Sequence, residues 1–273
     1  MAMNQDCVGR TYAEFSPFEV TPEAARAYAE ATNANLDAYV GDDAVAPPQM
    51  GVVFSFGALG APIADGDLNM DYMRMLHGEH TMEFAALVRP GDVIKSQSTV
   101  TSIDEKESGE VLNIAIESKN QHGDVVLNAK AGLFVRASRK RVKSEDVVDP
   151  FEAMPKLFSS DVVVAEDQSI RYAAASGDHN PIHTDKEVAA LAGMPGVILH
   201  GLCSMAFVHN VLVAKLDGDP SRVKSLAVRF SRPVLMNDVL TVDVRGEESG
   251  PWHIRVENQD GIVVLKNALA EIR

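Results

Sequence analysis

Basic residues are in short supply: 25 Lys and Arg stand against 39 Asp and Glu, a formal charge of −14 over 273 residues. A chain this acidic repels nucleic acid and anionic lipid surfaces, so neither is expected as a partner. Cysteine is scarce as well. Cys7 and Cys203 stand far apart, in neither a Cys-x-x-Cys pair nor a metal-ligand spacing, and both are read as reduced thiols. No uncharged run reaches the roughly 18 apolar residues of a membrane helix. The longest candidate, Val197 to Val213, holds His200, His209 and Asn210 and reads as a buried helix. Met1 to Asp6 lacks the basic and apolar regions of a secretory signal, which makes the cytoplasm the expected compartment.

What is present is ample apolar material, 46% of the chain, enough for one large domain or two of roughly 130 residues each. An anionic small molecule would need a local basic patch. Two runs offer one: Arg222, Lys224, Arg229 and Arg232 around a strand-like segment, and Arg136, Arg139, Lys140, Arg141 and Lys143 around a connector.

The chain repeats itself. Asn120-Gln121-His122-Gly123-Asp124-Val125-Val126-Leu127 returns as Asn258-Gln259-Asp260-Gly261-Ile262-Val263-Val264-Leu265, and Phe84 to Val93 lines up with Phe230 to Val239. A period of roughly 140 residues is a duplicated domain and not a solenoid repeat. The Pro-, Asp- and base-rich stretch Ser138 to Pro155 separates the copies. This divides the chain into a first copy at 1–140, a linker at 141–157 and a second copy at 158–273.

The second copy reads as a short helix over Asp167 to Ala175, a capping box Thr184-Asp185-Lys186-Glu187 opening a helix that Gly193 closes, and a long helix from about His200 to Leu216. That long helix is apolar nearly all round, which means burial on every side. Strand-like runs follow at Val223–Phe230, Val239–Arg245, Trp252–Glu257 and Ile262–Ile272, the last three divided by turn signals as an antiparallel meander. The first copy offers a helix at Met50 to Leu59 and strands near His80–Val88, Val93–Ile103, Val111–Ser118 and Val125–Val135. The fold class is α+β, with a curved antiparallel sheet wrapped around a buried helix in each copy.

The chemistry gathers in Ser176-Gly177-Asp178-His179-Asn180-Pro181-Ile182-His183. Gly177 and the Asn180-Pro181 pair break the helix, so Asp178, Asn180 and His183 sit on a turn that can aim a carboxylate, an amide and an imidazole at one point. Just ahead lies Leu199-His200-Gly201-Leu202 at a predicted helix start, where amide N–H groups lack partners and the dipole favours negative charge. His77 and His80 are read as structural or pocket-lining, and Cys203 as a core residue.

Ser-Gly-Asp-x-Asn-Pro-x-His resembles the signature of the hydratase 2, or MaoC-like, family of (3R)-specific enoyl-CoA hydratases and acyl-thioester dehydratases. Leu76-His77-Gly78-Glu79-His80 with Arg89-Pro90-Gly91-Asp92 resembles the non-catalytic N-terminal half of the same proteins. The resemblance implies a double hot dog whose two sheets join edge to edge, and an oxyanion role for the Gly201 amide. In the first copy, aligning Tyr28 with Tyr172 sets Ala34 against Asp178 and Tyr39 against His183, so that half cannot do the acid/base step.

The expected reaction is reversible conversion of a trans-2-enoyl thioester to a (3R)-3-hydroxyacyl thioester. Asp178 and His183 would be the acid/base pair, Asn180 would hold the water or the turn, and Gly201 would bind the oxyanion. His200, Gln49, Met50, Val53, Arg229 and Arg232 are expected to bind substrate, on a homodimer that needs neither metal nor other cofactor. Three alternatives compete: a dehydratase acting on an acyl carrier protein, a hot-dog thioesterase, and a non-catalytic acyl-CoA binding protein. The last would have no use for both Asp178 and His183.

Overall fold

The strand-forming runs of both copies alternate buried and half-exposed residues, as in Trp252–Glu257, and such strands bury one face against a helix. The computed structural model describes residues 2–13, 16–137 and 150–273. The first half contains β1 (Thr11–Tyr12), β2 (Phe18–Glu19), α1 (Pro22–Ala31), α2 (Gly51–Phe54), α3 (Phe56–Ala64), β3 (Met75–Phe84), β4 (Val93–Lys106), β5 (Gly109–Lys119) and β6 (Val125–Arg136). The second contains β7 (Lys156–Val163), α4 (Gln168–Ser176), α5 (Lys186–Leu191), α6 (Gly201–Lys215), β8 (Val223–Phe230), β9 (Val239–Arg245), β10 (Trp252–Glu257) and β11 (Val263–Ile272).

All the strands join one sheet in the order β1-β4-β5-β6-β3-β8-β11-β10-β9-β7, with β2 beside β4. This is a double hot dog. The halves meet where β3 pairs antiparallel with β8, and Thr81 lies opposite Ala227. Carrying the Phe84–Phe230 alignment back along both strands makes those two residues equivalent, so a local two-fold axis passes between them. Pairing at the junction satisfies both strands' ladder groups and leaves no edge there. On the same side, α1 packs on α4 and brings Tyr28 and Tyr172, the other equivalent pair, to 5.8 Å between ring centroids.

The repeated sequence is a repeated corner. In each copy the asparagine side chain closes a hairpin: Asn120 Oδ1 accepts from the His122 and Asp124 amides, and Asn258 Oδ1 from those of Asp260 and Ile262. The neighbouring glutamine crosses to the start of the next-but-one strand. Gln121 Oε1 accepts from Val93 N–H at 3.0 Å and Gln259 Oε1 from Val239 N–H at 2.9 Å, while their Nε2 groups donate to Asp92 and Asp238.

α6 runs where expected and is buried on nearly every side, Met205, Phe207 and Leu212 included. Burying side chains of this size stabilises by about 1.5–3 kcal/mol each. The expected helix at Met50–Leu59 differs. It is two segments broken at Ser55, whose hydroxyl donates to Gly51 O at 2.6 Å, and it continues to Ala64. The strand expected at His80–Val88 instead spans Met75–Phe84, because the amides of Ala85 and Ala86 both turn to Val126 O and end the ladder. The cap of α5 is Asp185, which accepts from Glu187 and Val188 amides, so the expected Thr184 capping box does not form. Within the expected connector, residues 138–149 lie outside the described residues, Pro150–Ala153 forms a 3-10 turn, and β7 begins at Lys156. Neither α1, opened by Thr21 and Pro22, nor β7 was among the expected elements.

Candidate active site

The Asp178 turn is braced by its own side chains. α4 ends at Gly177, whose φ of +77° lies in the left-handed region that a residue with a Cβ adopts at a cost. From there Asp178 N–H donates to Ser176 Oγ, Asn180 N–H to Asp178 Oδ1 at 3.1 Å, and Ile182 N–H to Asn180 Oδ1 at 3.3 Å. Each polar side chain holds an amide two residues on, the local bonding that makes Ser, Asp and Asn turn residues. Pro181 then opens a 3-10 turn, Pro181–His183, that delivers the imidazole. Asn180 Oδ1 is therefore spent on the turn, leaving its amide nitrogen for a ligand.

His183 is buried and its Nδ1 lies 2.9 Å from Ile198 O. A carbonyl only accepts, so Nδ1 carries the hydrogen and the neutral ring keeps its lone pair on Nε2. Burial lowers the His183 pKa, against the Ile198 hydrogen bond and the Asp178 charge, which raise it. His200 stacks on this ring with centroids 3.8 Å apart and planes at 26°. One donor atom each from Asp178, His183 and His200 falls within 4.8 Å of the others. This trio does not suit a metal ion. Imidazole lone pairs lie in the ring plane, and two nearly parallel planes 3.8 Å apart cannot both meet an ion at about 2.0–2.1 Å from each nitrogen.

Gly201 is the first residue of α6, directly after His200. The Cys203 and Ser204 amides already turn to His200 O, so among the described residues those of Gly201 and Leu202 are the unpaired donors of this helix start. A Cβ on Gly201 would lie 3.0 Å from Phe230 ring carbons, so the glycine is what lets this ring pack against the helix start. Phe230 in turn meets His77 edge-on at 5.4 Å, and His77 Nε2 lies 3.2 Å from His80 Nδ1. Burial pushes His77 down to about 4, opposed by the Asp178 charge. The first half thus supplies part of the wall of the site. Sequence reasoning missed Phe230, for which the only signal was its alignment with Phe84, and missed the His183–His200 stack, for which there was none.

The remaining expected residues make no hydrogen bond, ion pair or ring contact with the trio among the described residues. Gln49 and Met50 are buried and Val53 is partly buried against the core. Arg229 lies 3.6 Å from Glu79, Lys224 2.7 Å from Glu271 and Arg222 3.5 Å from Asp217, whereas Arg232 contacts only the Ser231 carbonyl among the described residues. In the second basic run, Arg139 to Lys143 lie outside the described residues.

The matching place in the first half is filled. Asn33 has the left-handed φ of Gly177, but Ala34 and Tyr39 follow where Asp178 and His183 stand. The bond from Ala46 N–H to Val88 O matches Leu199 N–H to Val234 O and sets Pro47 opposite His200. Beside Pro47, Pro48, Phe54 and Phe84 remains a cavity of about 10 Å³, room for one water. A more open cleft of about 520 Å³, lined by Arg26, Tyr39, Val40 and Arg89 among others, touches none of the Asp178 turn.

Comparison with known proteins finds a different family model in each half. The MaoC-like domain family matches residues 150–267 and the FAS1-like dehydratase domain region matches 6–129. The probable enoyl-CoA hydratase 2 of Dictyostelium discoideum is 29% identical over 243 residues, 85% of this chain and 82% of its own. The structure of a MaoC-like dehydratase from Phytophthora capsici superposes with a TM-score of 0.85 at 22% identity, covering 99% of this chain and 98% of that one. A Mycobacterium tuberculosis protein described as a double hotdog fold gives 0.64 at 11% identity over 97% and 94%. At such identities the two structures speak for the fold.

Proposed function

We propose a hydro-lyase from one premise: the chain belongs to the MaoC-like, or hydratase 2, family. The reaction is reversible hydration of a trans-2-enoyl-CoA to the (3R)-3-hydroxyacyl-CoA. The observation that carries it is the meeting of Asp178 and His183 beside the unpaired amides at the start of α6. The pair takes a proton from water as the oxygen bonds to the β carbon and returns that proton to the α carbon, so that both groups end as they began. The thioester oxygen, gaining negative charge, faces the Gly201 N–H, where a fixed donor costs no reorganisation. Asn180 supports the pair through the turn and offers its amide nitrogen to the water.

The first copy, 1–140, is assigned to the acyl chain, the linker to 141–157 and the chemistry to 158–273. Gln49 supports the acyl assignment: it is buried, yet neither polar atom of its amide has a partner among the described residues, which ordinarily costs about 1–3 kcal/mol. Met50 and Val53 stand beside it in sequence. Among the cations, Arg232 is the best placed for the phosphates of the carrier, with Arg229 second because Glu79 already faces it. A homodimer in the cytoplasm is the expected setting, and sedimentation of the purified chain reads its oligomeric state. Activity is tested by loss of the conjugated enoyl-thioester absorbance, with product passed to a (3R)- or a (3S)-specific dehydrogenase. Product consumed by the (3R) enzyme is expected; consumption by the (3S) enzyme alone ends the reading.

A further inference from the structure

We propose that His200 is a positioning residue of this site: a neutral imidazole in one tautomer that holds the Asp178 backbone and the His183 ring in register with the start of α6. The activity arm of its test rests on the hydratase reading; the tautomer arm does not. His200 Nε2 lies 3.0 Å from the backbone oxygen of Asp178. Since that oxygen only accepts, Nε2 carries the hydrogen. The other nitrogen, Nδ1, is then a lone pair, buried and without a partner among the described residues. An unpaired acceptor in the interior is cheaper than an unpaired N–H, and much cheaper than an unpaired charge. His200 therefore stays neutral and stays in this tautomer. The same ring stacks on His183 at 3.8 Å and packs against Tyr172 at 4.9 Å, so its plane is set by neighbours on α4 and on the turn.

Two cationic rings at that separation repel, so a proton accepted by His183 does not pass on to His200. The titratable groups facing His200 are Tyr172, Asp178, His179 and His183. Burial, with His183 and His179, holds it down to about 4, opposed by the Asp178 charge and backbone bond.

A purely architectural role does not account for this residue. His200 stands at the N-cap of α6, but its side chain makes no cap hydrogen bond. The first half opens its own helical run from Pro47, in the matching place, with no imidazole at all. That half lacks the aspartate and histidine, at Ala34 and Tyr39, and lacks this ring with them.

The test uses the full chain. Long-range proton–nitrogen NMR of the imidazoles, without substrate, should find His200 neutral and protonated at Nε2 from about pH 9 to about pH 5. A cationic or Nδ1-protonated His200 at neutral pH overturns the proposal, whether or not the chain hydrates anything. His200→Phe keeps a stacking ring and removes the donor; kcat should fall about 10- to 100-fold while KM moves by about twofold at most. His200→Gln, whose amide can donate to Asp178 O, should recover part of kcat and shift its acid limb, because His183 loses its stacked neighbour. Unchanged kcat in folded His200→Phe, or a loss confined to KM, overturns the proposal. Should His200→Phe fail to fold, the NMR titration and His200→Gln decide. A wild-type chain without hydratase activity removes the reaction but leaves the tautomer result standing.

Discussion

The two halves share a fold, a corner and a helix-capping turn, and differ, among other places, where Asp178, His183 and His200 stand against Ala34, Tyr39 and Pro47. Around the first trio, unpaired amides and a half-buried His77 line the place. Beyond the second trio, at the start of α2, Met82 and Leu127 lie so close that a Cβ on Gly51 would come within 2.5 Å and 2.7 Å of them. The copy that keeps Asp178 and His183 also keeps Gly201 at its helix start, where the other has Pro48.

The largest expected effect comes from removing the pair. Asp178→Asn and His183→Ala should each lower kcat by at least ~10²-fold with little change in melting temperature, and the double variant should be far less impaired than the product of the singles. In the other half, Tyr39→Phe removes a buried hydroxyl that has no partner, and turnover should stay within about twofold. Equal losses from Tyr39→Phe and His183→Ala would erase the distinction between the copies.

Next comes Gly201→Val. Shielding the amide should remove ~2.7 to 4 kcal/mol of transition-state stabilisation, the loss seen when one oxyanion donor goes. Because the added Cβ presses on Phe230, melting should also fall, and Phe230→Leu in the same chain should restore melting without restoring turnover. Recovery of both would reassign Gly201 to packing alone.

The imidazoles give a pH dependence whose sign follows from burial. His77 and His200 sit at about 4 and His209 at about 3, all below the ordinary 6.5. As pH falls below 6.5 the unfolded chain takes up protons that the folded chain refuses. Stability from these groups is full above that value and drains away as the pH approaches about 4. Melting temperature should therefore drop steadily across this window, and His209→Phe should flatten the slope. For the same reason the acid limb of kcat/KM should lie below the ordinary imidazole range, since burial favours the neutral, basic His183. A limb above it would remove His183 as the base.

Smaller effects concern the reach of substrate. Val53→Phe should penalise long acyl chains much more than the four-carbon one, and an equal loss for all lengths would place the chain elsewhere. Smallest is Arg232→Gln, which should raise KM by a few-fold and weaken its salt dependence, ~1 kcal/mol or less for an exposed charge. Lys224→Gln, already paired with Glu271, should change neither.

Much of this was legible because it is local. The Asn-Gln-x-Gly hairpins, the Gly177 and Pro181 breaks and the apolar run of α6 are set by neighbours in the chain, and Val223–Phe230, Val239–Arg245 and Trp252–Glu257 are strands to the residue. One error falls where a distant partner decides: β3 stops at Phe84 because Val126 O takes both following amides; the other two, Asp185 and not Thr184 capping α5 and the break of the first-half helix at Ser55, turn on a choice between neighbouring side chains.

The sequence by itself determined the duplication, the α+β class and the turn that holds Asp178, Asn180 and His183, since period, turn residues and side-chain-to-backbone bonds act over a few positions. Only the tertiary structure decided that His200 lies on His183, that Phe230 and His77 close the place around Gly201, and that the matching space in the first half is filled. Those contacts join residues 17 to 153 positions apart, and stacking and close packing depend on where whole elements come to rest.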